Sequence, residues 1–539
     1  MRRCAVLSIL CACVGAAAAE VRYREVAQEA GIDFRHYNGA QGEYYYIETF
    51  GAGAAFFDAD GDGWQDIYLI NGAHLSGPLP PTPPSNRFYR NAGDGTFADR
   101  SAASGAGDRG YGMGCAAGDF DNDGDQDLYA TNFGANVLLS NDGGGRFVDV
   151  TQAVGVGDGR WGTSSGFLDF DNDGDLDLFA ANYVRFSLQG NVECKRGALR
   201  FYCEPSTYAP IGDVLYRNDG RRFVDVTKSM GIHAVGRGLG VAFADSDLDG
   251  DTDIYVANDG TPNFLYENQG TRFVEIGLQA GVQYNEDGHA EAGMGVDFGD
   301  FDNDGYADLF VTNYSRETNT LYWNDGRGRF ADCTDHFGLG APSYLPLGFG
   351  TRFMDYDNDG DLDLYIGNGH VVNNIEQLDA DLRYAQPDLM LRNQDGAHFE
   401  EASDQLGADF GAASVVRGAA TADFDNDGDL DILATTVAGR PRLLRNDGGN
   451  RQHWLELLLV GAGQPDALGA RVIVIAGGAR QVRERQSGGS YLSGHDPRLH
   501  FGLGRATKAD ITIHWPDGQV QTLAAVDANQ IVRVVQPTR

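Results

Sequence analysis

The sequence predicts an all-β chain: a seven-bladed β-propeller followed by a small β-sandwich-like domain. Three observations predict it. Glycine supplies 75 of 539 residues, about twice the usual share of roughly 7%, and without a collagen period that much glycine means many tight turns. A nine-residue acidic motif recurs seven times. Near residue 450 the texture changes to apolar runs separated by Gly-rich turns. The length itself exceeds what one ordinary core holds, which favours two domains or a repeat array.

The motif reads D-x-D-x-D-G-x-x-D, and its positions 1, 3, 5, 7 and 9 carry the chemistry. In the first copy these are Asp58, Asp60, Asp62, Trp64 and Asp66. The second has Asp119, Asp121, Asp123, Asp125 and Asp127, and the third Asp169, Asp171, Asp173, Asp175 and Asp177. The fourth has Asp245, Asp247, Asp249, Asp251 and Asp253, and the fifth Asp300, Asp302, Asp304, Tyr306 and Asp308. The sixth has Asp355, Asp357, Asp359, Asp361 and Asp363, and the seventh Asp423, Asp425, Asp427, Asp429 and Asp431.

Calcium takes six to eight oxygen ligands, and short Asp side chains alternating through a tight turn aim carboxylates at one centre. Positions 1, 3, 5 and 9 are the side-chain ligands expected. Position 7 is expected to give a backbone carbonyl, and Gly at position 6 permits the reversal. The first six positions match an EF-hand loop, but position 12 lacks the bidentate Glu and strands replace the flanking helices. The seven loops hold 33 of the 78 Asp and Glu residues, and carboxylates that close repel one another without a cation. Up to seven Ca²⁺ are therefore expected, of modest affinity, with magnesium the poorer fit because it prefers a small octahedral site.

Two further elements keep step with the loops. An apolar run ends in Asn-Asp-Gly, as in Val214–Gly220 and Leu321–Gly326, and these residues tolerate the positive φ of hairpin turns. An aromatic-x-acid strand follows, as in Phe147-Val-Asp149. With a Gly-rich strand before each loop and an apolar strand after it, four short strands per repeat read as propeller blades. The last repeat lacks its aromatic-x-acid strand, whereas Tyr23-Arg-Glu-Val-Ala27 stands alone at the start. The N-terminal strand is thus expected to complete the last blade and remove a free sheet edge. The domains expected are a signal peptide over 1–19, the propeller over 20–449 and the tail over 450–539. In the tail, Trp454–Val460, Ala470–Ala476, Ala509–Trp515 and Ile531–Val535 read as strands.

Arg2 and Arg3 precede an apolar stretch and Ala17-Ala18-Ala19, the pattern of an export signal too short to span a membrane. Cys13 stands in a loose lipobox, so secretion, periplasmic placement and lipid anchoring all stay open. Cys194 and Cys203 are close enough in sequence for a disulfide in an exported chain. They fall in the longest gap between loops, read as an insertion over one face. Cys115 and Cys333 are expected as buried strand residues. A net charge of −37 argues against nucleic acid and anionic membranes as partners.

The repeats resemble the FG-GAP or VCBS repeats of integrin α-subunit propellers, most fully in Gly293–Gly305. The tail resembles the ASPIC/UnbV domain in Leu468–Arg471, Gly489–Ser493, His500–Gly504 and Trp515–Gly518. Together they resemble the cartilage acidic protein family. The resemblance implies an extracellular, calcium-loaded, non-enzymatic adhesion or binding module for a protein or glycan. The alternative is a carbohydrate-active lyase or hydrolase. Its candidates are His36 with Glu48, and His370, each more readily read as a hydrogen-bonded structural residue. No nucleophile elbow or zinc motif accompanies them.

Overall fold

A computed structural model describes residues 21–78, 80–220 and 222–538, and the expected leader over 1–19 lies outside them. Between Arg22 and Asp447 the chain forms seven four-stranded antiparallel sheets. Each is a meander. In the second, Tyr111–Gly118, Asp127–Phe133, Val137–Asn141 and Phe147–Asp149 run from the inner to the outer edge. The acidic motif turns the first strand into the second, and the Asn-Asp-Gly turn joins the third to the fourth, so both lie on one face. Register is fixed by the last Asp of the motif, which opens the second strand opposite the residue before the loop: Gly118 faces Asp127, and Leu168 faces Asp177.

Each inner strand packs against the next, and Val416–Ala422 packs against both Gly348–Met354 and Ala54–Phe57, which closes the ring into a β-propeller. Arg22–Glu25 pairs antiparallel with Arg442–Asp447, so the N-terminus supplies the outer strand of the last sheet. Between neighbouring sheets lies an apolar layer, such as Phe57, Phe88, Leu128 and Phe147 between the first two. Burying one such phenylalanine contributes roughly 1.5–3 kcal/mol.

The tail forms a three-stranded sheet (Leu499–Gly504, His453–Val460, Ile531–Val535) and a four-stranded sheet (Ala479–Glu484, Arg471–Ala476, Lys508–His514, Val520–Asp527). They sandwich Leu455, Leu457, Val472, Val474, Phe501, Ile511 and Trp515. Three of these strands, Ala479–Glu484, Leu499–Gly504 and Val520–Asp527, carry too mixed a pattern to stand out in the sequence.

The tail sits on the loop face and sends residues 487–496 into the centre of the ring. There the segment meets the inner strand of every sheet. Ser487 Oγ accepts from Phe167 N (3.0 Å), and Gly489 N donates to Val241 O (2.8 Å). Ser490 O accepts from Val296 N (3.0 Å) and its hydroxyl from Thr351 N (3.2 Å). Leu492 O accepts from Cys115 N (3.1 Å), Gly494 N donates to Ala54 O (2.9 Å), and Asp496 N donates to Thr421 O (3.1 Å). Gly53 and Gly114 are required here, since a Cβ on either would collide with the Leu492 backbone.

The opposite mouth is closed by an apolar cluster of Tyr46, Phe50, Trp161, Tyr183, Tyr208 and Tyr491. The insertion falls between the strands Asp177–Asn182 and Val214–Asn218. It covers this mouth, and a disulfide joins its Cys194 and Cys203. Cys115 is buried in its strand as expected, but Cys333 is not: it lies just past Phe330–Asp332 and is half-buried, because the chain leaves the sheet there. No helix among the described residues is long and apolar enough to cross a membrane.

Candidate metal centres on the loop face

Each acidic motif folds into the same preformed turn. The position 1 carboxylate accepts from the backbone N–H of positions 5 and 6: Asp119 Oδ1 from Asp123 N (3.1 Å) and Oδ2 from Gly124 N (2.9 Å). The same pair forms at Asp58, Asp169, Asp355 and Asp423. The position 5 carboxylate accepts from the N–H of position 7, as Asp173 does from Asp175 (2.9 Å). Position 4 is left-handed throughout, with φ from 54° at Asn426 to 68° at Gly61, and the position 6 glycines run from 87° to 103°.

These turns bring the predicted ligands together. Carboxylate oxygens of Asp58, Asp60 and Asp62 lie within 4.8 Å of one another, as do those of Asp119, Asp121 and Asp127, and of Asp169, Asp171 and Asp177. So do those of Asp245, Asp247 and Asp249, and of Asp300, Asp302 and Asp304. In the sixth and seventh loops, Asp363 feels the charges of Asp355, Asp357 and Asp359, and Asp431 those of Asp423, Asp425 and Asp429. Buried carboxylate oxygens are left without a hydrogen-bond donor at Asp60, Asp245, Asp300, Asp357 and Asp425. Orphaned anionic acceptors are costly in a protein interior, and a hard oxygen-seeking cation satisfies them. The residues therefore fit a calcium ion. At position 7 the side chains of Asp175 and Asp251 each accept from an asparagine of another loop, whereas Asp429 keeps one buried oxygen without a donor.

Position 9 is the most deeply buried. Asp127 Oδ2 accepts from Phe120 N (3.1 Å) and Oδ1 from Asn141 N (2.8 Å), and the arrangement repeats in every sheet. Burial, reinforced by the neighbouring carboxylates, pushes Asp66 and Asp253 up to about 8 and Asp127 and Asp177 up to about 9. Because these folded values lie above the ordinary carboxylate value near 4, the cation-free fold is favoured at low pH, where the groups are protonated in both states. It loses that advantage as pH rises toward 9. The expected result is a lower unfolding midpoint at pH 8 than at pH 5 in chelator, read by thermal scans. Calcium binding at pH 7 should release protons, read as a buffer-dependent heat.

The sequence pattern assigned Asn-Asp-Gly to hairpin chemistry alone, and the structure adds a second role. Each third-strand asparagine donates its amide to the position 2 carbonyl of the preceding loop: Asn141 to Ala59, Asn218 to Phe120, Asn268 to Phe170, Asn324 to Ser246, Asn393 to Phe301, Asn446 to Tyr356 and Asn91 to Phe424, at 2.7–2.9 Å. The seven bonds link all the loops into one circuit. The recurrence of Asn at the end of every third strand was the available signal. Asn218→Ala removes the donor from buried Phe120 O (2.7 Å) and Leu176 O (3.1 Å). We expect it to cost about 2–4 kcal/mol in denaturant unfolding.

The tail grips this face. Asp466 accepts from Asp119 N (2.7 Å), Arg471 donates to Gly305 O (2.6 Å), and Gly504 N donates to Asn358 O (2.9 Å). Arg498 donates to Asp423 O (2.7 Å) and pairs with buried Glu456 (3.0 Å). Trp454 lies against Gly428, where any side chain would collide.

Among the described residues no hydrogen bond joins the enzyme candidates, and His36 Nε2, Glu48 Oε1 and His370 Nε2 are each buried without a partner. His36 is buried, its Nδ1 accepting from Ala438 N (3.2 Å), while Glu48 accepts from Tyr202 OH (2.7 Å). His370 Nδ1 accepts from Val372 N (3.0 Å). Burial, then the Arg417 charge, holds His36 near 3 and His370 near 4, so both are neutral rings.

Family models match this architecture. The FG-GAP-like repeat model matches residues 58–130, 119–180, 245–311 and 300–366, and the ASPIC and UnbV model matches 461–539. The chain carries FG-GAP repeats and an ASPIC/UnbV domain. It is similar to cartilage acidic protein 1 of Mus musculus, 27% identical over 326 residues, or 58% of this chain and 47% of the relative. The Homo sapiens protein of the same name is also 27% identical, over 58% of this chain and 46% of its own length. The chain thus spans about half the length of these relatives. Among solved structures, an Agrocybe aegerita lectin that recognises non-reducing terminal N-acetylglucosamine overlaps at TM-score 0.39 and 18% identity, covering 65% of this chain and 79% of the lectin. The rhamnogalacturonan lyase YesW overlaps at TM-score 0.37 and 13% identity, covering 73% and 71%. Of the ASPIC/UnbV segments, Gly489–Ser493 lies in the ring centre, Arg471 and Gly504 touch the loops, and Trp515 packs in the tail's own core.

Proposed function

We propose that the chain is an exported calcium-binding propeller, with up to seven ions in the acidic loops, that serves as a non-enzymatic binding module for an extracellular protein or glycan. The observation that carries the calcium assignment is the set of orphaned, mutually repelling carboxylates in preformed loops. Export is supported by the leader pattern, the Cys194–Cys203 disulfide and relatives whose name places them in cartilage. The domain boundaries proposed are 20–449 and 450–539.

The tail occupies the loop face, so the partner is assigned to the opposite one. There the disulfide hairpin presents exposed Lys195 and Arg196, and Arg200 lies over the Tyr44 ring (5.1 Å). The enzyme alternative is the less favoured reading: His36 and His370 are buried neutral rings, and among the described residues no hydrogen bond joins His36 to Glu48. Elemental analysis of the purified chain, followed by calcium-dependent binding to glycan and matrix-protein arrays, tests the proposal. Several calcium ions per chain with a bound partner are expected. A chain without calcium, or glycan cleavage in place of retention, overturns it.

A further inference from the structure

We infer that the seven loops differ in cation affinity, set by the residue that precedes each third-strand asparagine, and that the fourth loop, Asp245–Asp253, binds tightest. The inference rests on the calcium assignment above and deepens it.

That residue faces position 3 of the loop, and it varies where the ligands do not. In the first sheet it is Arg90, whose guanidinium pairs with both Asp60 and Asp62, the latter at 3.1 Å. In the fifth it is Trp323, whose indole N–H donates to Asp302 Oδ2 at 2.9 Å. In the third, sixth and seventh it is Arg217, Arg392 and Arg445, each paired with an acid beyond the loop: Asp219 (2.8 Å), Glu400 (3.3 Å) and Asp447 (2.8 Å). Ser140 in the second sheet brings no charge. Only the fourth presents an acid at that strand position, Glu267, which accepts from Gln269 Nε2 (2.8 Å).

The other end of the fourth loop is acidic as well. The buried Glu484 carboxylate of the tail accepts from Asp245 N (3.3 Å), as Asp466 does from Asp119 N in the second loop (2.7 Å), whereas in the seventh Arg498 donates to Asp423 O (2.7 Å). An arginine on a ligand carboxylate is an internal counter-ion. It must be displaced or opposed when a divalent cation enters, whereas an added carboxylate draws the cation in. Calcium affinity follows the net charge around the ligands, and one charge a few ångströms away is worth about tenfold.

The first and fourth loops also differ from the others in their coupling. Position 4 asparagines reach forward to the next loop: Asn122 to Asp175 (2.8 Å), Asn172 to Asp251 (2.9 Å), Asn303 to Asp361 (3.3 Å), Asn358 to Gly428 O (2.9 Å) and Asn426 to Gly63 O (3.1 Å). The first loop has Gly61 there and the fourth Leu248, with φ 68° and 62°. This conformation is strained for a leucine, and neither residue has an amide to pass forward. Occupancy of the first and fourth loops is therefore less tied to that of the loop after each.

The test is isothermal titration of calcium into the chelator-stripped full chain and three variants, Glu267→Arg, Glu267→Gln and Arg90→Glu. The wild type is expected to show a tight first step of one ion followed by weaker steps. Glu267→Arg should weaken the tight step about a hundredfold and Glu267→Gln about tenfold, since they change the local charge by two and one. Arg90→Glu should create a second tight step. Seven equal steps, or a tight step untouched in both Glu267 variants, overturns the inference while leaving the calcium assignment standing. No calcium heat in any chain overturns both. Circular dichroism in saturating calcium confirms folding, and Glu267→Gln, isosteric at a half-exposed position, decides the matter if the arginine variant does not fold.

Discussion

Removal of calcium is expected to lower the unfolding midpoint on the order of 10–20 °C. A ligand that binds only the folded form stabilises it by mass action, about 1.4–2.7 kcal/mol per site when its free concentration is 10–100 times the dissociation constant. Extracellular calcium modules commonly bind at about 10⁻⁴–10⁻³ M, so ~10 mM calcium reaches that range. Seven loops then total roughly 10–19 kcal/mol, which for a chain this long is about one degree per kcal/mol. The loops are coupled through the asparagine circuit, so the loss is shared by the whole ring rather than confined to one sheet. Thermal scans in calcium and in excess chelator, with metal content measured alongside, give the result. A midpoint unmoved by chelation would make the loops ordinary acidic turns and withdraw the calcium assignment.

The cation loops were legible because their chemistry is local. Nine consecutive residues hold the ligands, the left-handed turn and the start of the next strand, so no distant contact is needed to recognise them. The ring closure was legible for a related reason: Tyr23–Ala27 repeats a strand type missing from the last sheet. What stayed hidden depends on contacts between residues far apart in the chain. Asn218 looks like half of a turn until its amide is seen on Phe120 O. Ser490 looks like part of a Gly-rich turn until it is found between Val296 and Thr351. His36 and Glu48 illustrate the same limit, since nearness in sequence says nothing about where two side chains point once the segment lines a packed face. Glu267 was invisible because a lone acid in an acidic chain carries no signal until Asp247 is beside it.

Leu492→Asp is expected to cost about 4–5 kcal/mol and to undock the tail. Leu492 is fully buried at the ring centre, pressed by Gly53 and Gly114. A carboxylate placed there loses its hydration without gaining a partner and pays either to remain charged or to hold a proton. The site tolerates little adjustment, because Ser490 and Leu492 are already left-handed at φ 58° and 57°. Such conformations persist only where the surroundings impose them, here through bonds to all seven inner strands. Undocking has a second cost, since Val296, Thr351, Cys115 and Phe56 lose the acceptors for their inner-strand N–H groups. The loop face simultaneously loses the tail residues Asp466, Arg471 and Arg498. The variant should therefore unfold in two transitions where the wild type shows one, and it should be cut by protease within 485–498, a segment the ring otherwise shields. If one transition persists and the segment stays protected, the tail is held by its loop-face contacts alone and the central segment is a passenger. That outcome would also free the inner strands to be stabilised by their sheets, and the calcium loops would then carry the ring without help from the tail.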